Sequence, residues 1–164
     1  MFPLSLTTGY AVLALNCMED PGGHPSQVAS IAAATGLPGP FLSKIVNRLA
    51  AQGLVKTRRG RSGGVILTRP AKEISLDEIV TAVEGEGWDK ACFLGLRTCA
   101  VPEPEEHCPF HEFWLEEIGR FRAKMAATSL ADLACFDPVT SKEVPVGTPA
   151  KPGCPHNCGS NNCQ

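Results

Sequence analysis

The sequence predicts a mainly α fold with a small β wing: a winged helix-turn-helix joined to one long helix suited to dimerisation. Three observations predict it. Two helical patterns meet at the short turn Gly36-Leu37-Pro38-Gly39-Pro40, a Gly-rich hairpin bearing Arg58, Arg59 and Arg61 follows at once, and an apolar stripe runs from Trp114 to Met125 in alternating steps of four and three.

Between Leu4 and Met18 the residues Leu6, Tyr10, Leu13 and Ala14 recur at helical spacing, and Asp20-Pro21-Gly22-Gly23 breaks the pattern. Ser26 is the expected cap of an Ala-rich second helix from Gln27 to Thr35, with Val28, Ile31 and Ala32 on one face and Gly36 at its end. The tight turn at Leu37 to Pro40 leads into a third helix from Phe41 to Gln52, whose buried stripe is Phe41, Leu42, Ile45, Val46 and Leu49. Gly53 closes it. Leu54 to Arg58 and Val65 to Arg69 read as two short strands, and Arg59 to Gly64 supplies the flexible residues that a hairpin tip requires. A hairpin directly after a helix-turn-helix is a wing.

Ser75 caps a short helix from Leu76 to Glu84, with Leu76, Ile79, Val80 and Val83 on its buried side and Asp77 and Glu78 near its positive end. Residues 88 to 110 lack a period and contain Pro102, Pro104 and Pro109, so they read as an irregular loop. A long helix is expected from about His111 to Leu133, on which Trp114, Ile118, Phe121 and Met125 require a partner helix. After Asp137-Pro138 the composition is that of a flexible tail.

A chain of 164 residues, 43% hydrophobic and 20% charged, fits one modest core with an appendage. Its apolar runs are far shorter than the roughly 20 residues needed to cross a bilayer, and its start lacks a basic flank or secretory cleavage pattern, so no membrane partner and a cytoplasmic location are expected. The net charge of −2 hides an asymmetry: residues 1–72 carry +6 and the remainder −8. Such a contrast joins a polyanion-binding half to a half with another task.

The organisation that follows is a winged helix-turn-helix DNA-binding unit over 1–85, a cysteine-bearing loop over 86–110, the dimerisation helix within 111–136 and a Cys-containing tail over 137–164. The third helix fits the major groove, which makes Ser43, Lys44, Asn47 and Arg48 candidate contacts, the first three for base edges. Wing residues Arg58, Arg59, Arg61 and Ser62 are placed along the phosphates or in the minor groove. Surface cations often form only a solvated face, but three arginines at one Gly-rich turn beside a helix-turn-helix favour double-stranded DNA. Catalysis is not expected: no dinucleotide fingerprint, phosphate loop, HExxH or redox Cys-x-x-Cys is present.

Eight cysteines in a reducing compartment point to metal ligation or redox sensing rather than staples. Cys92, Cys99 and Cys108 fall close together, Cys154, Cys158 and Cys163 crowd the end with His156, and Cys17 and Cys135 stand in apolar surroundings that suggest packing. The tail group could bind a metal or act as a thiol reserve.

The runs Leu6-Thr-Thr-Gly-Tyr10-Ala-Val-Leu-Ala-Leu15, Val28-Ala-Ser-Ile-Ala32, Leu49-Ala-Ala-Gln-Gly53-Leu-Val55, Arg59-Gly-Arg-Ser-Gly-Gly64-Val-Ile-Leu67 and Ile74-Ser-Leu-Asp-Glu-Ile-Val-Thr-Ala-Val-Glu-Gly85 resemble the Rrf-type family of bacterial winged helix-turn-helix transcriptional regulators, IscR/NsrR-like, over roughly residues 1–135. The resemblance implies a homodimer that binds a palindromic operator, acts as a repressor, and responds through an iron-sulfur cluster, 2Fe-2S or 4Fe-4S, to redox, nitric oxide or iron status. In cluster-binding members three cysteines between the fourth helix and the dimerisation helix hold the cluster, and the third is often followed by Pro-x-His. The matching residues here are Cys92, Cys99 and Cys108, with His111 as fourth ligand in Cys108-Pro-Phe-His111.

His107 or a residue of the partner subunit are lesser candidates for that fourth position. Members that take an acid from the partner's first helix find no match, because residues 1–18 hold neither Asp nor Glu. The acidic insert Pro102-Glu-Pro-Glu-Glu106 lengthens the second Cys gap, a change of small entropic cost, since doubling a loop adds only about 0.6 kcal/mol. Three thiolates and an imidazole also suit tetrahedral zinc, but the close Cys-x-x-Cys knuckle is missing. The alternatives are a cofactor-free thiol- or small-molecule-responsive winged-helix regulator, and a metal or cluster carrier.

Overall fold

A computed structural model describes residues 4–60, 63–93 and 109–134. In chain order it contains helices α1 (Leu6–Asn16), α2 (Val28–Thr35) and α3 (Gly39–Ala51), strands β1 (Val55–Arg58) and β2 (Gly64–Leu67), and helices α4 (Leu76–Glu84) and α5 (His111–Ala126). Short 3₁₀ turns occupy Ala71–Glu73, Trp88–Lys90 and Ala131–Leu133. The strands pair antiparallel, Val55 opposite Leu67 and Arg58 opposite Gly64, and form the wing.

Local chemistry sets these boundaries. Gly36 ends α2 at φ +71°, a conformation that side chains with a Cβ rarely adopt. Pro40 lies in the first turn of α3, where the missing N–H has no helical partner to lose. At α4 the Glu78 amide donates to Ser75 Oγ (3.3 Å) and the Ser75 amide donates to the Glu78 carboxylate (2.9 Å), a complete capping box. Burial pushes the Glu78 carboxyl up, but the Ser75 bonds and the Arg69 guanidinium at 2.6 Å hold it below the ordinary glutamate range.

The main core fills the space between α1, α2, α3, the wing and α4, with Leu15, Ile31, Leu42, Ile45, Leu49 and Ile79 shut off from solvent. The predicted α3 stripe is buried at Leu42, Ile45, Val46 and Leu49, while Phe41 lies at the margin, edge-on to Tyr10 at 5.8 Å. A second cluster of Val80, Trp88, Trp114, Ile118 and Met125 joins α4 to α5.

Four expectations are corrected. On α1 the buried face is Thr8, Ala11, Val12, Ala14 and Leu15, whereas Leu6 is 79% exposed. Apolar residues occur all round this helix, and it is small Ala11 and Ala14 that allow the neighbouring helices to approach. Ser26 does not cap α2. Its hydroxyl donates to the Cys17 carbonyl (2.9 Å), and its own N–H and C=O exchange 2.8 Å bonds with Val65, adding an edge contact to the wing. The third helix begins two residues early, at Gly39, because the Pro38 carbonyl already accepts the Phe41 and Leu42 amides.

The long helix ends at Ala126 instead of Leu133. Thr128 turns its hydroxyl back to the Lys124 carbonyl, and Ser129 with Asp132 caps the next turn, so local side-chain bonds displace the helical ones. The chain then returns to the winged helix: the Leu76 amide donates to Thr128 O and the Leu130 amide to Ile74 O, both at 2.8 Å, and Leu130 is fully buried in the main core. The stripe Trp114, Ile118 and Met125 therefore finds a partner within its own chain. Among the described residues no helix is long and apolar enough to cross a membrane.

Candidate functional site

On α3 the residues opposite the buried stripe are the ones singled out from sequence. Ser43, Lys44 and Asn47 are exposed on one face. The Ser43 hydroxyl donates to the Gly39 carbonyl (2.9 Å), which leaves its oxygen lone pairs directed outward as an acceptor. Beside this face, β1 buries Val55 and exposes Lys56, Thr57 and Arg58, with Arg59 exposed just beyond. Sequence reasoning misses Lys56, although its alternation with the apolar Val55 is a signal that could have found it. Arg61 and Ser62 lie outside the described residues.

The wing is locked to the body at the turn end of β2. A Cβ on Gly64 would stand 2.5 Å from the Ser26 carbonyl oxygen, and one on Gly63 would run into the Arg58 carbonyl. Only glycine lets the hairpin pair this closely with the Ser26 segment.

Arg48 is placed differently. Its Nη1 donates to the Val83 carbonyl (3.0 Å) at the C-terminal end of α4. Next to it, Glu84 accepts from the Ser5 amide (2.9 Å), the Ser5 hydroxyl (2.8 Å) and the Thr8 hydroxyl. Burial raises the Glu84 carboxyl, but these bonds and the Arg48 charge more than offset it and hold it below the ordinary range. Glu84 thus supplies from α4 the negative charge that the N-terminus of α1 lacks in its own sequence.

The cysteine-bearing segment leaves α4 through Gly85 and is fastened to α5. Arg122 bridges Asp77 (3.2 Å) and Asp89, and the Asp89 and Asp77 carboxylates push its guanidinium pKa further up. Trp114 Nε1 donates to the Ala91 carbonyl (2.9 Å), and Phe93 packs on Trp114 and Phe110 with ring centroids 5.2 and 5.1 Å apart. Cys92 lies half-buried between two anchored neighbours. His111, the first residue of α5, is only 8% exposed. The Phe93–Phe110 contact brings together two described residues, one next to Cys92 and the other next to His111. Cys99, Cys108, His107, Cys135 and the tail thiols Cys154, Cys158 and Cys163 lie outside the described residues, and among the described residues no three potential ligands come together.

Residues 4–135 match the family described as Rrf2, iron-dependent transcriptional regulator. Among curated proteins, the chain is 42% identical over 90 residues to protein aau3 of Rhizobium meliloti, covering 55% of this chain and 58% of the relative. It is 29% identical over 131 residues to the HTH-type transcriptional repressor NsrR of Streptomyces coelicolor, covering 80% and 78% respectively. Among solved structures, CymR of B. subtilis, the global cysteine regulator, superposes with a TM-score of 0.64 at 26% identity over 84% of this chain and 99% of its own. IscR of T. potens superposes at 0.60 with 25% identity, covering 79% and 84%.

Proposed function

The chain belongs to the Rrf2 family of transcriptional regulators, DNA-binding proteins and not enzymes, and from that premise we propose that it is a homodimeric repressor whose affinity for a palindromic operator responds to an iron-sulfur cluster. The observation that carries the DNA half of this reading is that α3 exposes Ser43, Lys44 and Asn47 opposite its buried stripe and runs directly into a wing whose first strand exposes Lys56 and Arg58. In this reading α3 enters the major groove, Lys44 and Asn47 address base edges, and Lys56, Arg58, Arg59 and Arg61 follow the phosphates. Dimerisation is supported by the apolar side chains left open near α5 and at the start of α1, Phe110, Phe113, Leu115 and Leu6.

The donor set suits a thiolate-held cluster. Cys92 is half-buried and precedes Phe93, whose ring meets that of Phe110, and His111, buried, follows Phe110, so Cys92, Cys99, Cys108 and His111 are the proposed ligands. When bound, such a group supplies a redox-active centre that oxidants, nitric oxide or iron shortage alter. The protein's own part is to fasten the segment to α5 through Trp114 and Arg122.

Operator binding by fluorescence anisotropy across a salt series tests the DNA reading. Lys44→Ala and Asn47→Ala should weaken specific binding about tenfold and relax sequence preference, whereas Arg59→Ala should weaken all duplexes and lower the salt slope by about 0.9 for each phosphate that the arginine no longer neutralises. An anaerobic absorption spectrum with iron and sulfide counts tests the cofactor. Colour that disappears on Cys92→Ala, Cys99→Ala or Cys108→Ala supports it. Colourless protein that still shifts the operator would indicate a thiol- or small-molecule-responsive regulator, and iron without sequence-specific DNA affinity a carrier.

A further inference from the structure

Arg48 lies in the last turn of the helix that carries the reading face, only one residue from Asn47. Its guanidinium nevertheless reaches the end of another helix: Nη1 donates to the Val83 carbonyl at 3.0 Å. The last carbonyls of a helix lack intrahelical donors and carry its negative pole, so a cation there is satisfied both by hydrogen bonding and by the dipole. The neighbouring Glu84 carboxylate lies within the field of Arg48 while holding Ser5 and Thr8 at the start of α1. Three helices, α1, α3 and α4, thus meet at one polar junction.

The same end of α4 is where the cysteine-bearing segment begins. Eight residues lie between Val83 and Cys92, and within them Asp89 is tied to Arg122 and the Ala91 carbonyl to Trp114. That segment is thus joined to α5 by side-chain bonds and to the Arg48 junction by the chain itself. Resting on the DNA-binding reading above, we propose that Arg48 is a positioning residue: it ties the recognition helix to the C-terminal end of α4 and sets operator affinity through that tie rather than by touching a phosphate.

The two roles give different signatures. Removing a cation that neutralises a phosphate lowers the slope of log K against log salt by about 0.9 per site, about 1.8 for two subunits, whereas removing a positioning bond weakens binding at every salt with the slope unchanged. In the full-length protein, Arg48→Gln is expected to weaken operator binding about tenfold at an unaltered slope, with Arg59→Ala as the reference that does lower it. Glu84→Gln leaves Arg48 in place and removes a carboxylate that phosphate would repel. It is expected to weaken binding in the same way, and the double variant to be weakened by less than the two single effects combined.

Hydrogen exchange of the peptide spanning residues 83–93 reads the tie without DNA, and should quicken about threefold in either variant. A slope lowered by about 1.8 in Arg48→Gln with exchange over 83–93 unchanged would overturn the proposal and return Arg48 to the phosphates. So would a Glu84→Gln protein with wild-type affinity and exchange. If the unmodified protein shows no operator preference at all, the DNA reading fails, and the exchange measurement alone then decides whether Arg48 holds the segment.

Discussion

The two apolar clusters of this molecule are finished to different degrees. Around α3 the large side chains are sealed, Leu49 at 0% exposure, and polar partners stand close to the helix ends, as at Ser75 with Glu78 or Glu84 with Ser5. Around the first turns of α5 the rings of Phe93, Phe110 and Phe113 pack on one another yet remain partly open, Phe113 at 52%, beside a groove of about 480 Å³. Among the described residues the aromatic cluster at the start of α5 is thus less enclosed than the core around α3.

The largest test of this contrast is truncation at its two extremes. Leu49→Ala should destabilise the protein by about 2–5 kcal/mol in urea unfolding, because it opens a cavity in packed surroundings, while Phe113→Ala should change stability by no more than about 0.5 kcal/mol. Next is the turn end of β2, where Gly64→Ala should cost about 1–3 kcal/mol and reduce operator affinity, since the new methyl must push the Ser26 backbone aside. Ser75→Ala, which removes half of the capping box of α4, should cost about 1 kcal/mol in the same assay.

The smallest effect is in pH. Glu78 and Glu84 are both held below the ordinary glutamate value of 4.5, so their contribution to stability is complete above that value and is lost as pH falls through their lower folded-state values. Thermal midpoints should be level from pH 7 to about 5 and fall below it, and Glu84→Gln should make that fall shallower.

Where sequence was a good guide, short-range chemistry fixed the outcome. Ser75 with Glu78 gave α4 its bounds, Gly36 ended α2, and the α3 stripe separated the buried Leu42, Ile45 and Leu49 from the exposed Ser43, Lys44 and Asn47. Where it misled, the deciding partner was distant. The spacing of Leu6, Tyr10 and Leu13 marks a face of α1 as apolar, but α4 and α3 take the face with the small residues. Ser26 looks like a cap until Val65 arrives from 39 residues away. The stop at Ala126 was signalled locally by Thr128 and Ser129, yet its purpose, delivering Leu130 to the main core, depends on α4.

That return of the chain after α5 makes the helix a strut. Sixteen residues span about 24 Å, and it is fastened along its length: main-chain bonds join Thr128 and Leu130 to the stretch that starts α4, while Trp114 Nε1 and the Arg122 guanidinium hold the segment that follows α4. The spacing between those two attachments is set by the helix itself.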